Sequence, residues 1–130
     1  MNILRPVDIE EECRLALIDY LSAYCRPLPK DYALPHTEIT CTGGGSENTI
    51  DRFTVVLDAR AETDAEASEQ LRTTIGILEK QAQDQFGALR NVEVNAQGNW
   101  GSDPVRPDLK LARATVIVTA HREHFTIPES

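Results

Sequence analysis

Apolar residues first recur at helical spacing. Ile9, Cys13, Ala16, Leu17, Tyr20, Leu21 and Tyr24 fall on one side, with Glu11, Glu12, Arg14, Asp19 and Ser22 on the other. The pattern predicts an amphipathic helix running to about Tyr24. Pro6, an Asp8 N-cap and an acidic first turn open it and complement its dipole. Pro27, Pro29 and Pro35 then exclude helix and sheet interior, so residues 26–36 read as an extended crossing segment. Residues 37–42 read as a short strand with Thr37, Ile39 and Cys41 on one face. Gly43, Gly44 and Gly45, followed by Ser46, Glu47 and Asn48, read as a flexible loop. The next strand, residues 51–62, sends Phe53, Val55, Leu57, Ala59 and Ala61 inward and forms a hairpin with its predecessor.

Thr63, Asp64, Ala65 and Glu66 match a capping box, in which the Thr and Glu side chains satisfy each other's free backbone amides. A second helix starts there. Ala67, Leu71, Thr74, Ile75, Leu78, Ala82 and Phe86 form its apolar stripe, and Gly87 supplies a C-terminal residue that tolerates positive φ. Val92, Val94 and Ala96 alternate with Glu93 and Asn95 in a third strand, and residues 109–122 make a fourth, longer one. The intervening residues 98–108 hold the only tryptophan, Trp100, and read as a loop too long and proline-rich for a tight hairpin. The tail from His124 reads as irregular. The order is α-β-β-α-β-β, an α+β fold in which a mostly antiparallel sheet packs with two amphipathic helices. One domain, 1–130, accounts for the length.

Charge narrows the partners. Thirteen Lys and Arg against twenty-one Asp and Glu leave −8, so phosphate backbones are repelled overall. No apolar leader precedes Glu10, Glu11 and Glu12, so the mature chain is expected to start at Met1. The longest uncharged apolar run, residues 114–120, is far below the roughly 20 residues of a membrane helix, so no membrane partner is expected. Cys13, Cys25 and Cys41 are odd in number. If the first helix carries both Cys13 and Cys25 they stand about 18 Å apart, beyond disulfide reach, so all three read as reduced core residues.

Candidate chemistry does not converge. The glycines at 43–45 invite a phosphate-loop reading, but Ser46, Glu47 and Asn48 lead into a strand, not a helix, and no Lys follows. His121, Glu123 and His124 are metal-ligand types. On a strand, however, His124 points away from the other two, so they read as a solvated strand end. His36 has no Ser or Cys nucleophile signature to serve, and Asp58 and Glu62 read as the wet face of a strand. The sequence therefore implies no catalytic residues, no metal site and no cofactor. Two features remain. Leu109, Leu111, Arg113, Thr115, Ile117 and Thr119 make a half-apolar second face on the last strand, covered either by the chain's own first helix or by a neighbouring subunit. Trp100, with Asn99, Asp103, Arg106 and Asp108 around it, is either a buried loop anchor or an interface hot spot.

Taken whole, the arrangement resembles the tail terminator and tail completion family of long-tailed bacteriophages. The stretches that carry the likeness are residues 51–67, a strand turning into an Ala/Glu-rich helix, and residues 111–120, a closing strand after a Trp-bearing loop. The resemblance implies a structural virion protein and no enzyme. It implies a homo-oligomeric, hexameric ring at the head-proximal end of the tail tube, which ends tube growth and joins tail to neck. Its partners would be the tail tube protein and a neck or connector protein. It would be made in the host cytoplasm and reside in the tail-neck region of the virion, with DNA passing through its lumen unbound. Residues 43–50 (with Gly43, Gly44 and Gly45) and 98–108 would reach neighbours, together with Leu111 and Ile117. The proline connector from Pro27 to Pro35 departs from the family pattern. The alternatives are another neck or head-tail connector protein, or a small ferredoxin-like α+β enzyme or ligand-binding module. Six copies at −8 each would carry −48 and give an acidic channel, with Arg52, Arg60 and Arg113 offset by Asp51, Asp58 and Glu62.

Overall fold

The computed structural model describes residues 1–47 and 50–129, without the Glu47 side chain. Asn48 and Ser130, placed above in a loop and a tail, lie outside the described residues. The elements are β1 (Asn2–Arg5), α1 (Ile9–Leu17), β2 (Ala23–Cys25), β3 (His36–Glu47), β4 (Ile50–Ala61), α2 (Asp64–Gln83), β5 (Leu89–Ser102), β6 (Lys110–His121) and β7 (Glu123–Thr126). Five strands form one sheet in the order β2-β3-β4-β6-β5, antiparallel except that β2 runs parallel to β3. The fold is α+β, and its sheet is mostly antiparallel. The three short strands β1, β2 and β7 add to the six elements the sequence pattern announces.

Both helices pack on the same sheet face. Ile9, Cys13 and Leu17 of α1 and Leu71, Ile75 and Leu78 of α2 share one core with Val55 and Leu57 of β4 and Val116 and Val118 of β6. A polar tie fixes α2 to β3: Thr37 and Thr74 hydroxyls lie 2.8 Å apart, and Gln70 Nε2 donates to Thr37 Oγ1 at 3.0 Å. Such a network adds specificity because each member is satisfied where water is excluded. α1 begins as its cap predicts, with Glu11 N–H donating to Asp8 at 3.3 Å. α2 is capped by Thr63, which accepts from the Glu66 amide at 3.2 Å. The return bond is the Thr63 hydroxyl donating to the Glu66 carboxylate at 3.0 Å, not a bond to the Thr63 backbone amide.

Several boundaries differ from the sequence expectation. α1 ends at Leu17, not near Tyr24, because the edge of β3 offers residues 23–25 a parallel ladder, and Ser22 O accepts from Thr37 N–H. Cys25 therefore sits on a strand, so the helical separation from Cys13 does not apply; all three cysteines are free thiols. Burial raises the Cys13 thiol and pushes Cys25 up to about 11. The glycine triplet is strand, not loop: β3 runs through Gly43, Gly44 and Gly45 after a bulge between Cys41 and Gly43. α2 ends at Gln83, with Gln85 at φ 56 and Gly87 at φ 52, so Phe86 leaves the apolar stripe and is exposed. β5 extends to Ser102 and takes in Gly98, Asn99 and Trp100, which shortens the expected loop to residues 103–109. It is an edge strand, and its register against β6 shifts at three places. The C-terminal tail is not irregular throughout, since β7 pairs with β1 in a separate ribbon, bound by Arg5 to Glu123 at 2.9 Å.

Candidate interaction surface

Because both helices lie on one side, the other face of the sheet is left to the rest of the chain. Register partners on this open face are Glu38, Asp58 and Arg113 in one row, and Thr40, Val56 and Thr115 in the next. The first helix does not cover it. Cover comes at one end only, where the connector after β2 and the 103–109 loop meet: Arg106 lies 4.5 Å over the Tyr32 ring. A cleft between them is lined by Arg26, Leu28, Glu38, Arg60, Asp103 and Arg106. Toward the Ile50 end of β4 the face is bare, and a groove there runs along Gly45, Ile50, Arg52, Thr54, Ile117 and Thr119.

The covered end is held by charge. Arg113 forks onto Asp58 at 2.6 and 3.1 Å, a bidentate geometry that raises the Arg113 pKa. The Trp100 ring sits 4.4 Å from the same guanidinium. Arg60 donates through Nε to Asp103 at 2.5 Å and stands 3.7 Å from Glu38 and 3.9 Å from Asp58. Asp103 also accepts from Val105 N–H at 3.0 Å, while its own amide donates to Leu109 O at 2.8 Å. Burial works to raise the Asp103 pKa. The bonds from Val105 and Arg60 outweigh that and hold it below its ordinary value.

The residues singled out from the sequence separate into two sets. Trp100 projects from β5 at 56% exposure, and Asp108, Gly43, Gly44 and Gly45 are exposed as well. Ile117 is half-buried on the bare face. Asn99 turns to the α2 side, where it lines a shallow cleft with Ser68 and Arg72. Asp103 and Leu111, in contrast, are 2% and 1% exposed within their own chain, so neither offers a neighbour a contact. Arg106 is half-buried on Tyr32. The offsetting charges also differ from expectation. Arg60 and Arg113 are met by Asp58, Asp103 and Glu38, whereas Asp51 faces away and binds Arg122 at 3.1 Å. Glu62 is exposed beyond the end of β4, and Arg52 has no ion pair among the described residues. Sequence reasoning missed Glu38 and Tyr32. Alternation through 36–40 puts Glu38 on the outward face, but nothing local names its partner.

His121 ends β6 and is exposed, Glu123 is engaged by Arg5, and His124 lies in β7. Among the described residues, no group of three or more His, Cys, Asp or Glu side chains is spaced to hold a metal ion. No described helix is long and apolar enough to cross a membrane. Compared with protein-family models and with curated proteins, the chain matches none.

Proposed function

We propose that the chain is a structural ring subunit of a phage tail. On this reading it acts as a tail terminator or tail completion protein, ending tube growth and joining tail to neck. The observation that carries this reading is the bare sheet face. Thr54, Val56, Thr115, Ile117 and Thr119 form a half-apolar surface over β4 and β6, and Trp100 stands out beside it. A contiguous surface of this kind with a projecting aromatic suits association with another copy, and a heterologous contact closes into a ring when its rotation allows. The sequence resemblance supplies the number, six, and the partners: the tail tube protein and a neck or connector protein. Catalysis has no part in this role, and the site of action is the virion. A related neck protein would use the same surface. The ferredoxin-like alternative shares one split βαβ unit, β4-α2-β5 with β6 between its two parallel strands, but lacks the second interleaved one, because β3 joins β4 as a hairpin and β1 lies in a separate ribbon. Native mass spectrometry, alone and with tail tubes, tests the proposal. Sixfold species support it, and a chain that stays monomeric both in concentrated solution and on assembled tails overturns it.

A further inference from the structure

His36 is fully buried at the start of β3, on the open-face side of the sheet. Two tyrosine rings meet it edge-on, Tyr24 with centroids 5.4 Å apart and Tyr32 at 4.9 Å. Its Nδ1 lies 2.9 Å from Ala33 O. A carbonyl only accepts, so Nδ1 carries the proton and the neutral ring keeps a lone pair on Nε2. That Nε2 is buried with no hydrogen-bond partner. The Tyr24 hydroxyl accepts from Ala33 N–H at 3.0 Å, so one closed set of contacts ties β2, the connector and β3 together. Arg106 over Tyr32 extends the set to the 103–109 loop.

Protonation would put a second N–H where no acceptor stands, and would charge a ring that water does not reach. The groups facing the ring are Tyr24 from β2, Tyr32 from the connector, Glu38 from β3, Arg60 from β4 and Arg106 from the loop. Burial does most to oppose the charged ring. Arg60 and Arg106 add to it, while the Ala33 carbonyl and Glu38 offset part. We propose that this set is an acid-opened latch: protonation of His36 releases residues 26–35 from the sheet and uncovers the cleft floored by Glu38 and Arg60.

The direction follows from linkage. A released His36 takes a proton at its ordinary 6.5, and the latched one resists it, so latching is complete above that value and weakens as pH falls below it. While the latched ring stays neutral, the ratio of open to closed rises about 30-fold between about pH 7.5 and about pH 5. This device is independent of the ring proposal and needs no assembly to be measured.

Nuclear magnetic resonance on the full chain tests it along a pH titration. The readouts are the His36 ring shift, the contacts between His36 and the two tyrosine rings, and Ala33 amide exchange corrected for its intrinsic pH dependence. The expected result is weakening of the ring contacts and loss of at least about tenfold Ala33 protection on acidification, with α2 and β6 amides unchanged. The His36 midpoint should fall below its ordinary 6.5. His36→Asn, which can keep the bond to Ala33 O and does not titrate, should flatten the response. Ala33 protection that stays unchanged to pH 5 overturns the proposal, as does the same acid response in His36→Asn. Should that variant not fold, the wild-type chain decides: release with a midpoint that departs from the His36 titration refutes the latch.

Discussion

Truncating Asp103 to alanine removes a buried carboxylate that serves two donors, Arg60 Nε and the Val105 amide. Arg60 is only 9% exposed and would keep Glu38 and Asp58 at 3.7 and 3.9 Å. Breaking one side of a buried ion pair costs about 3–5 kcal/mol, and the two remaining carboxylates place this case at the lower end, about 3 kcal/mol. Asp103→Asn keeps an acceptor for the Val105 amide and loses only the charge, so about 1–2 kcal/mol is expected. Urea unfolding followed by circular dichroism reads both. With slopes of about 1–3 kcal/mol/M for a chain this small, the alanine midpoint should drop by about 1–3 M. The pH dependence supplies an internal control. Asp103 titrates below its ordinary 3.8 in the folded chain, so its contribution is present above 3.8 and is lost as pH falls through the folded value. The gap between wild type and Asp103→Asn should therefore close from about pH 5 to about pH 2. A cost below about 1 kcal/mol for alanine, or a gap constant over that range, would refute the view that this pair holds the loop on the sheet.

Trp100→Ala should leave stability within about 1 kcal/mol, since the ring is exposed and stacks on Arg113, while weakening ring or neck assembly; a large fall in melting temperature with assembly intact would reverse that assignment. Gly44→Ala should cost more than about 1 kcal/mol, because its Cβ would stand 2.6 Å from Arg52 O, whereas Gly45→Ala meets nothing within 4 Å and should stay within about 0.5 kcal/mol in the same melts. Duplex DNA should show no measurable affinity near about 150 mM salt by fluorescence anisotropy, and micromolar binding with a steep negative salt slope would contradict the passive channel.

What the sequence made legible was local. The α2 stripe and its cap at Thr63 and Glu66 are six or fewer residues from everything that defines them, and the alternation in residues 51–62 announces β4 directly. The end of α1 was not legible, because Tyr20, Leu21 and Tyr24 keep helical spacing while the edge of β3, more than ten residues on, claims residues 23–25. Glycines 43–45 carry no side-chain alternation, so a strand there leaves no signal. The ribbon pairs Asn2 with Thr126, across almost the whole chain. The candidate surface was half visible: Trp100 and the mixed face of β6 could be named, but Asp103 reads as a wet loop residue until Arg60, 43 positions earlier, is brought beside it.

On the proposed ring reading, the broken register of β5 bears on how copies would meet. A straight edge of fourteen residues would be a template for a fresh strand, and strand addition once begun has no reason to stop. Here the ladder slips between Leu89 and Asn91, Val94 and Ala96, and Asn99 and Gly101, and each slip bends the edge and raises its twist. An incoming strand would lie flat for only a few residues before the edge turned from it. Growth by fibre is thereby discouraged along this fourteen-residue edge, and on the proposed ring reading copies would meet instead through the broad face, where a contact of fixed angle has a finite number of partners.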